Sequence, residues 1–347
     1  MAVTKGTTIS LDAMGGDHAP DVVLQGVQIA RSRVPDVRFL VYGDKARVEP
    51  LLARLPDVAE ACTFFHTEHA VQGNDKPSQV LRQGRDTSMW LAVDAVARGE
   101  AGGVISAGNT GALMAVSKFV LRMLPGIDRP AIAAFYPTER GESVMLDLGA
   151  NIECSAGNLV QFAIMGEVFA RIMLGVEEPS VGLLNVGSED LKGPEAVRGA
   201  AAILRNGDLP LRFHGFVEGN DITAGTVDVV VSDGFAGNIA LKSAEGTAKL
   251  YTRFLRDAFS SSWLARLGYL LAKPALVKVK MRTDPRRYNG AMLVGLNGVT
   301  VKSHGGTDAV GFANAICVAA DLISQGFNDK IKSELERVKS IDDDSAI

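Results

Sequence analysis

Gly103-Val104-Ile105-Ser106 runs into Ala107-Gly108-Asn109-Thr110-Gly111 and then into Ala112-Leu113-Met114, so a short apolar run passes through a glycine turn into a helical pattern. The run has no polar alternation, as in a strand covered on both faces. Asn109 stands where a helix cap is wanted, ahead of a helix expected over 110–121. The same kind of unit recurs along the chain. Strands are expected over 7–11, 37–42, 103–106, 143–146, 180–186 and 226–231, and helices over 21–33, 87–98, 110–121, 159–174, 195–205, 238–259 and 308–325. Strand and helix in alternation specify an α/β fold, a mainly parallel sheet with helices on both faces. No repeat, low-complexity tract or linker divides the chain, so 1–347 is read as a single unit.

Composition is that of a folded protein. Of 347 residues, 47% are hydrophobic and 22% charged, which excludes disordered and collagen-like classes. No apolar run approaches the roughly 20 residues of a membrane-spanning helix. Residues 1–20 lack the apolar stretch of a secretory signal, so a cytoplasmic location is expected. Cys62, Cys154 and Cys317 are widely spaced, without a C-x-x-C pair, and are expected as buried free thiols. The net charge of −4 argues against a general nucleic-acid binder. Between Lys249 and Arg287, however, ten Lys or Arg face only Asp257 and Asp284, about +8 against about −12 for the remainder. A basic surface on an acidic protein points to an acidic partner.

Glycine-rich polar turns cluster at expected strand ends, where open α/β sheets bind ligands. Ser106 to Gly111 offers backbone N–H groups and a helix N-terminus to an anion. It matches neither G-x-G-x-x-G nor G-x-x-x-x-G-K-[ST], and no complete form of either occurs elsewhere. Asp12, Gly15, Gly16, Asp17 and His18 follow the first strand. Their carboxylates either orient His18 and bind substrate or make local turns, with His18 capping a backbone group. Asn185, Glu189, Lys192 and Gly193 form a third turn, in which a lysine at a helix entrance suits a phosphate or a developing oxyanion. Asp233 and Asn238 belong to a fourth, where Asn238 is a helix cap or a substrate ligand. No G-x-S-x-G elbow is present, and no metal or cofactor is implied.

Within the basic stretch, Trp263, Leu264, Leu267, Leu270 and Leu271 fall on an arc of about 120° at helical spacing, with Arg266 and Lys273 to one side. Pro274 is expected to end this helix. Such a face lies in a membrane interface or packs in a core or subunit contact.

The segments LDAMGGDHAP from Leu11, SAGNTGALM from Ser106, DLGAN from Asp147, N-x-G-x-E-x-x-K-G from Asn185, EGNDI from Glu218, SDGFAGN from Ser232 and KSHGG from Lys302 together resemble the phosphate acyltransferases of bacterial phospholipid synthesis. They span nearly the whole chain in order. The resemblance implies transfer of a long-chain fatty acyl group from acyl-acyl carrier protein to inorganic phosphate. It also implies a homodimer, peripheral contact with the inner face of the cell membrane, and a fold related to isocitrate and isopropylmalate dehydrogenases without their nicotinamide chemistry. On this reading phosphate sits in the glycine turns and attacks the thioester directly. Lys192 neutralises phosphate or the tetrahedral oxyanion, Asn109 and the amides near Gly108, Thr110 and Gly111 position it, and His18 or Asp17 manages protons or orientation. Asn151, Asp233, Asn238 and His304 join the substrate-binding set by matching motif positions, as do Asp12 and Ser106. Gly306-Thr307 stands where relatives are expected to carry Ser-Ser.

Two other readings are weighed. A metal- and nicotinamide-dependent 2-hydroxy acid dehydrogenase needs a carboxylate cluster and an arginine set that the chain does not assemble. A non-enzymatic acyl-carrier or membrane-surface scaffold rests on the basic helix alone and leaves the four polar turns without a use.

Overall fold

A computed structural model describes residues 6–207, 209, 211–282 and 284–344. Its strands are β1 (Thr8–Asp12), β2 (Arg38–Gly43), β3 (Cys62–His66), β4 (Gly103–Ser106), β5 (Ala131–Thr138), β6 (Gly141–Leu146), β7 (Ser180–Leu184), β8 (Arg212–Val217), β9 (Val229–Val231), β10 (Ala291–Val294) and β11 (Val299–Lys302). They make one sheet in the order β3-β2-β1-β4-β11-β10-β5-β6-β9-β7-β8. Pairing is parallel except at β11–β10, β10–β5 and β5–β6. Three successive reversals make β6, β9, β7 and β8 run opposite to β1, β2, β3, β4 and β11.

Alternate residues of the central strands feed two cores. Ile9, Leu11, Ile105, Val144, Leu146, Val229 and Val231 face one side. That side is covered by helices Asp21–Arg31, Ala156–Met173, Glu195–Asn206, Ala309–Ser324 and Phe327–Asp344. Val104, Met145, Val230 and Leu293 face the other, under helices Ser88–Ala97, Thr110–Leu121 and Gly219–Ala224. Each buried branched side chain contributes roughly 1.5–3 kcal/mol, which is why unalternating apolar strands are stable only between two helical layers. Side-chain caps start the helices that leave the sheet. Asn109 Oδ1 accepts from Ala112 N at 2.9 Å, Asp233 Oδ1 from Ala236 N at 2.7 Å and Asp308 Oδ1 from Gly311 N at 3.0 Å.

All six expected strands and all seven expected helices are present, most with ends moved by one to four residues. Five strands were not legible: β3, β5, β8, β10 and β11. β5 is alanine-rich and contains Pro137, β8 carries His214 and a positive-φ Gly215 at a register shift, and β10 and β11 are four residues each. The basic stretch is two helices, Gly234–Ser260 and Trp263–Arg282, and the second continues through Pro274. Proline removes one helical donor, but Leu270 and Pro274 are both exposed, which leaves water to the carbonyl that loses its partner. Arg286 forks onto Asp284 and Asp308, and Arg287 donates to Met281 O, so these two cations are tied within the fold.

Helices Ala156–Met173 and Phe327–Asp344 meet at Arg171, whose Nη2 lies 2.9 Å from Glu334 Oε1 and 3.5 Å from Glu167 Oε2. Burial pushes Glu167 up to about 7, with Arg171 opposing the rise and Glu334 adding to it. A carboxyl raised in the folded state contributes stability below its ordinary 4.5 and loses it as pH rises through about 7. Glu167→Gln is therefore expected to stabilise the protein at about pH 8, on the order of 2–3 kcal/mol, and to change little near pH 4.5. Urea melts at the two pH values check this; equal effects at both would refute it.

Candidate active site

The turns that follow β1, β4 and β11 converge, because these three strands are parallel neighbours. Asp12, the last residue of β1, is fully buried. Its Oδ1 accepts from Ser88 Oγ at 2.6 Å and from Met14 N at 3.3 Å, and its Oδ2 accepts from Ser106 Oγ at 2.7 Å. Ser106 Oγ accepts in turn from Gly108 N at 3.0 Å. Burial raises Asp12 above the usual carboxylate range, and the two serine hydroxyls and the Met14 and Gly15 amides oppose that rise. Gly15 is packed so closely that a Cβ there would lie 2.6 Å from Asp12 Oδ2 and 2.7 Å from Gly108 N.

The third turn adds a cation. Lys302, at the end of β11, donates to Ala107 O at 3.3 Å and to Ser303 O. Burial brings its ammonium down to about 8, while Asp12 and Asp17 hold it up. Asp17 N donates to Gly305 O at 2.9 Å, and the Asp17 carboxylate lies along Gly305 and Gly306. His304 is tied by its N–H to Asn289 Oδ1 at 2.8 Å, and its Nδ1 accepts from Gly306 N at 3.2 Å, which places the proton of the neutral ring on Nε2. Partial burial, then Lys242 and Lys302, hold His304 below the usual imidazole range. Lys242 comes from helix Gly234–Ser260, which thus approaches the junction from the other half of the sheet.

A second group of turns follows β6 and β9. Asp147 is buried and accepts from the backbone N–H groups of Ile132, Gly149, Ala150 and Asn151 and from Asn151 Nδ2. Asn151 Nδ2 also donates to Pro130 O, and Asn238 Nδ2 donates to Leu148 O at 2.9 Å. Asp233 caps helix Gly234–Ser260. After β7, Asn185 Nδ2 spans Gly187 O and Lys192 O, both at 3.1 Å. Lys192 is exposed, with Nζ 3.6 Å from Glu189 Oε1.

The expected site residues therefore divide. Asp12, Gly15, Gly16, Asp17, Ser106, Gly108, Asn109, Thr110, Gly111 and His304 belong to one junction; His18 is exposed beside it. Asn151, Asp233 and Asn238 form a second cluster, and Asn185, Glu189 and Lys192 a loop beyond it, all on strands that run the opposite way. Lys192 stands exposed on the loop after β7, and the lysine that hydrogen-bonds the turn after β4 is Lys302. Asn109 and Asn151 have both amide donors spent on protein acceptors, Asn109 on Gly73 O and Asp75 O. Gly108 N–H is spent on Ser106, so the donors left to head the helix are those of Thr110 and Gly111, which have no intrahelical acceptor. Ser88, Lys302, Asn289 and Asp147 were missed. Lys302 and Asp147 stand inside the KSHGG and DLGAN segments, whereas Ser88 and Asn289 sit where no glycine turn marks them.

The fold is one found in solved proteins. A solved phosphotransacetylase from Streptococcus pyogenes superposes with a TM-score of 0.60 at 19% identity, over 93% of this chain and 95% of that one. The sequence then gives the family. A family model described as fatty acid synthesis protein matches residues 7–330. The phosphate acyltransferase of Paramagnetospirillum magneticum is 66% identical over 97% of this chain and 96% of its own length, and that of Rhodospirillum rubrum 63% identical over 97% of each. The chain belongs to this family of phosphate acyltransferases and is an acyltransferase enzyme.

Gly15→Ala is expected to force the β1 and β4 turns apart, lowering stability by about 1–3 kcal/mol and turnover at least tenfold. Gly246→Ala, with open space at its Cβ inside a helix, should leave turnover unchanged and raise stability by about 0.5–1 kcal/mol. Thermal melts and initial rates on both variants check the contrast; a Gly15→Ala enzyme with normal turnover would refute it.

Proposed function

We propose that the protein transfers a long-chain fatty acyl group from acyl-acyl carrier protein to inorganic phosphate, releasing acyl phosphate and the free carrier thiol for phospholipid synthesis. The observation that carries this reading is the meeting of a helix N-terminus, a buried lysine and three glycine turns at one parallel strand junction, in a chain closely similar to phosphate acyltransferases. Phosphate is held at that junction, where the Thr110 and Gly111 amides face it. One phosphate oxygen attacks the thioester carbon, the C–S bond breaks, and the phosphate proton ends on the carrier sulfur. No covalent enzyme intermediate is needed. His18 and Asp17 stand at the rim as the groups that orient phosphate or handle that proton. Lys192, exposed and 3.6 Å from Glu189 Oε1, is the cation assigned on this reading to the phosphate or the tetrahedral oxyanion. The relation in fold to isocitrate and isopropylmalate dehydrogenases is part of this reading.

Hydroxylamine trapping of acyl phosphate from palmitoyl-acyl carrier protein and phosphate, without nucleotide or metal, tests the reaction. Phosphate-dependent release of free carrier supports it, and a folded protein inactive across chain lengths refutes it. Lys192→Ala is expected to lower turnover about 10²-fold with the fold intact. Near-normal turnover would remove Lys192 from the chemistry.

The same reading makes the protein a cytoplasmic homodimer in peripheral contact with the inner membrane face. Among the described residues no single helix is long and apolar enough to cross a membrane. Trp263 and Leu271 are 72% and 79% exposed, and Leu264, Leu267 and Leu270 share their exposure. Arg266 and Lys273 flank this face, as an anionic lipid surface or an acidic carrier protein requires. Leu267→Glu with Leu271→Glu is expected to abolish pelleting with vesicles containing phosphatidylglycerol while sparing turnover. Unchanged pelleting assigns the face to another partner.

A further inference from the structure

Lys302 is a buried cation that hydrogen-bonds the turns after β4 and β11, and the groups around its ammonium are negative or carbonyl oxygens. Facing it are the Asp12 carboxyl from β1, the Asp17 carboxylate from the turn after it, and the carbonyls of Ala107 and Ser303. His304 stands in its own turn, with Lys242, Glu245 and Lys249 of helix Gly234–Ser260 beyond the imidazole. A doubly charged phosphate meets a repulsive field at such a junction unless a positive charge offsets it. The ammonium also bridges two strands. By holding Ala107 O on β4's turn and Ser303 O on β11's turn, it sets the separation between the Thr110 and Gly111 amides on one side and His304 on the other.

We propose that Lys302 is the positioning residue of the phosphate site, an ammonium that fastens the β4 turn to the β11 turn and offsets Asp12 and Asp17 so that the junction accepts a dianion. The inference rests on the preceding reading that phosphate occupies this junction. Lys302 acts through the turns and the field, and the acyl donor makes no demand on it. Its loss therefore falls on phosphate binding first. Because burial lowers its ammonium to about 8, the charge is present below that pH and is lost above it. Inorganic phosphate, with its second pKa near 7, goes from about two-thirds to almost wholly dianionic between pH 7.5 and 9.5, a change of less than twofold that would lower the KM and so does not imitate the effect.

Initial rates with phosphate varied at saturating palmitoyl-acyl carrier protein, from pH 7.5 to 9.5, test this on wild type, Lys302→Arg and Lys302→Met. Wild type is expected to show a KM for phosphate that rises toward tenfold per pH unit above about pH 8, with the KM for the acyl donor changing less than twofold. Lys302→Arg, whose charge persists, is expected to hold its phosphate KM level across this range. Lys302→Met should raise that KM at least tenfold at pH 7.5 and show no inflection. A wild-type phosphate KM that is flat through pH 8, or a Lys302→Met enzyme with the wild-type profile, overturns the proposal. If the methionine variant does not fold, the contrast between wild type and Lys302→Arg decides alone. Calorimetric titration of inorganic phosphate into acyl-donor-free protein separates this inference from the reaction assigned above. Phosphate binding that depends on Lys302 without turnover refutes acyl transfer and keeps the site. Turnover with a phosphate KM indifferent to Lys302 keeps acyl transfer and refutes the positioning role, and neither binding nor turnover refutes both.

Discussion

A carboxyl group buried at the end of a central strand is costly unless every oxygen finds a donor, and Asp12 meets that constraint with groups drawn from three parts of the chain. Ser88 comes from a helix that covers the sheet, Ser106 from the end of the neighbouring strand, and Met14 from the turn itself. Satisfying Asp12 therefore sets the spacing between β1, β4 and helix Ser88–Ala97 at once. Gly15 follows from the same constraint, since any side chain there would strike both the carboxylate and the Gly108 amide. Lys302 then closes the junction from β11, making a buried acid and a buried base neighbours across three parallel strands.

The sheet's change of direction governs everything outside that junction. Three antiparallel pairings in its middle turn the strands of the second half over, so a strand end in one half is not equivalent to a strand end in the other. Asp147 does in the second half what Asp12 does in the first: it accepts four backbone N–H groups and one amide, and holds a glycine turn against the start of helix Gly234–Ser260. That helix is the physical link between the halves. It begins on the Asp147 turns and carries Lys242 within electrostatic range of His304. Its continuation, with helix Trp263–Arg282, leaves apolar side chains in contact with solvent that the two sheet cores do not bury.

Much of this was legible in the order of residues. Apolar runs without alternation identified a sheet covered on both faces, and Asn109 and Asp308 stand at the starts of helices that they cap, whereas the helix expected from Asn238 begins four residues earlier and is capped by Asp233. The glycine turns are also local, because a chain that must bring backbone close to backbone, as at Gly15 and Gly108, needs residues without side chains in those places. Their resemblance to phosphate acyltransferases is carried by the same segments. Short, alanine-rich or proline-bearing strands such as β5 and β10 carry too little pattern to be seen, and they are the strands that reverse the sheet.

By itself, then, the sequence determined the α/β class, the capped helices, the polar turns, the family, and the presence of a basic helical segment. Only the tertiary structure decided which turns meet. Lys192 and Lys302 are both lysines at glycine-rich strand ends, and nothing local separates them. Strand direction and sheet order leave Lys192 exposed and paired with Glu189, and bring Lys302 under the carbonyl of Ala107, 195 residues away in the chain. Contacts of that range arise from long-range strand pairing, and burial then makes a surface-type residue into a cation with an altered affinity for its proton.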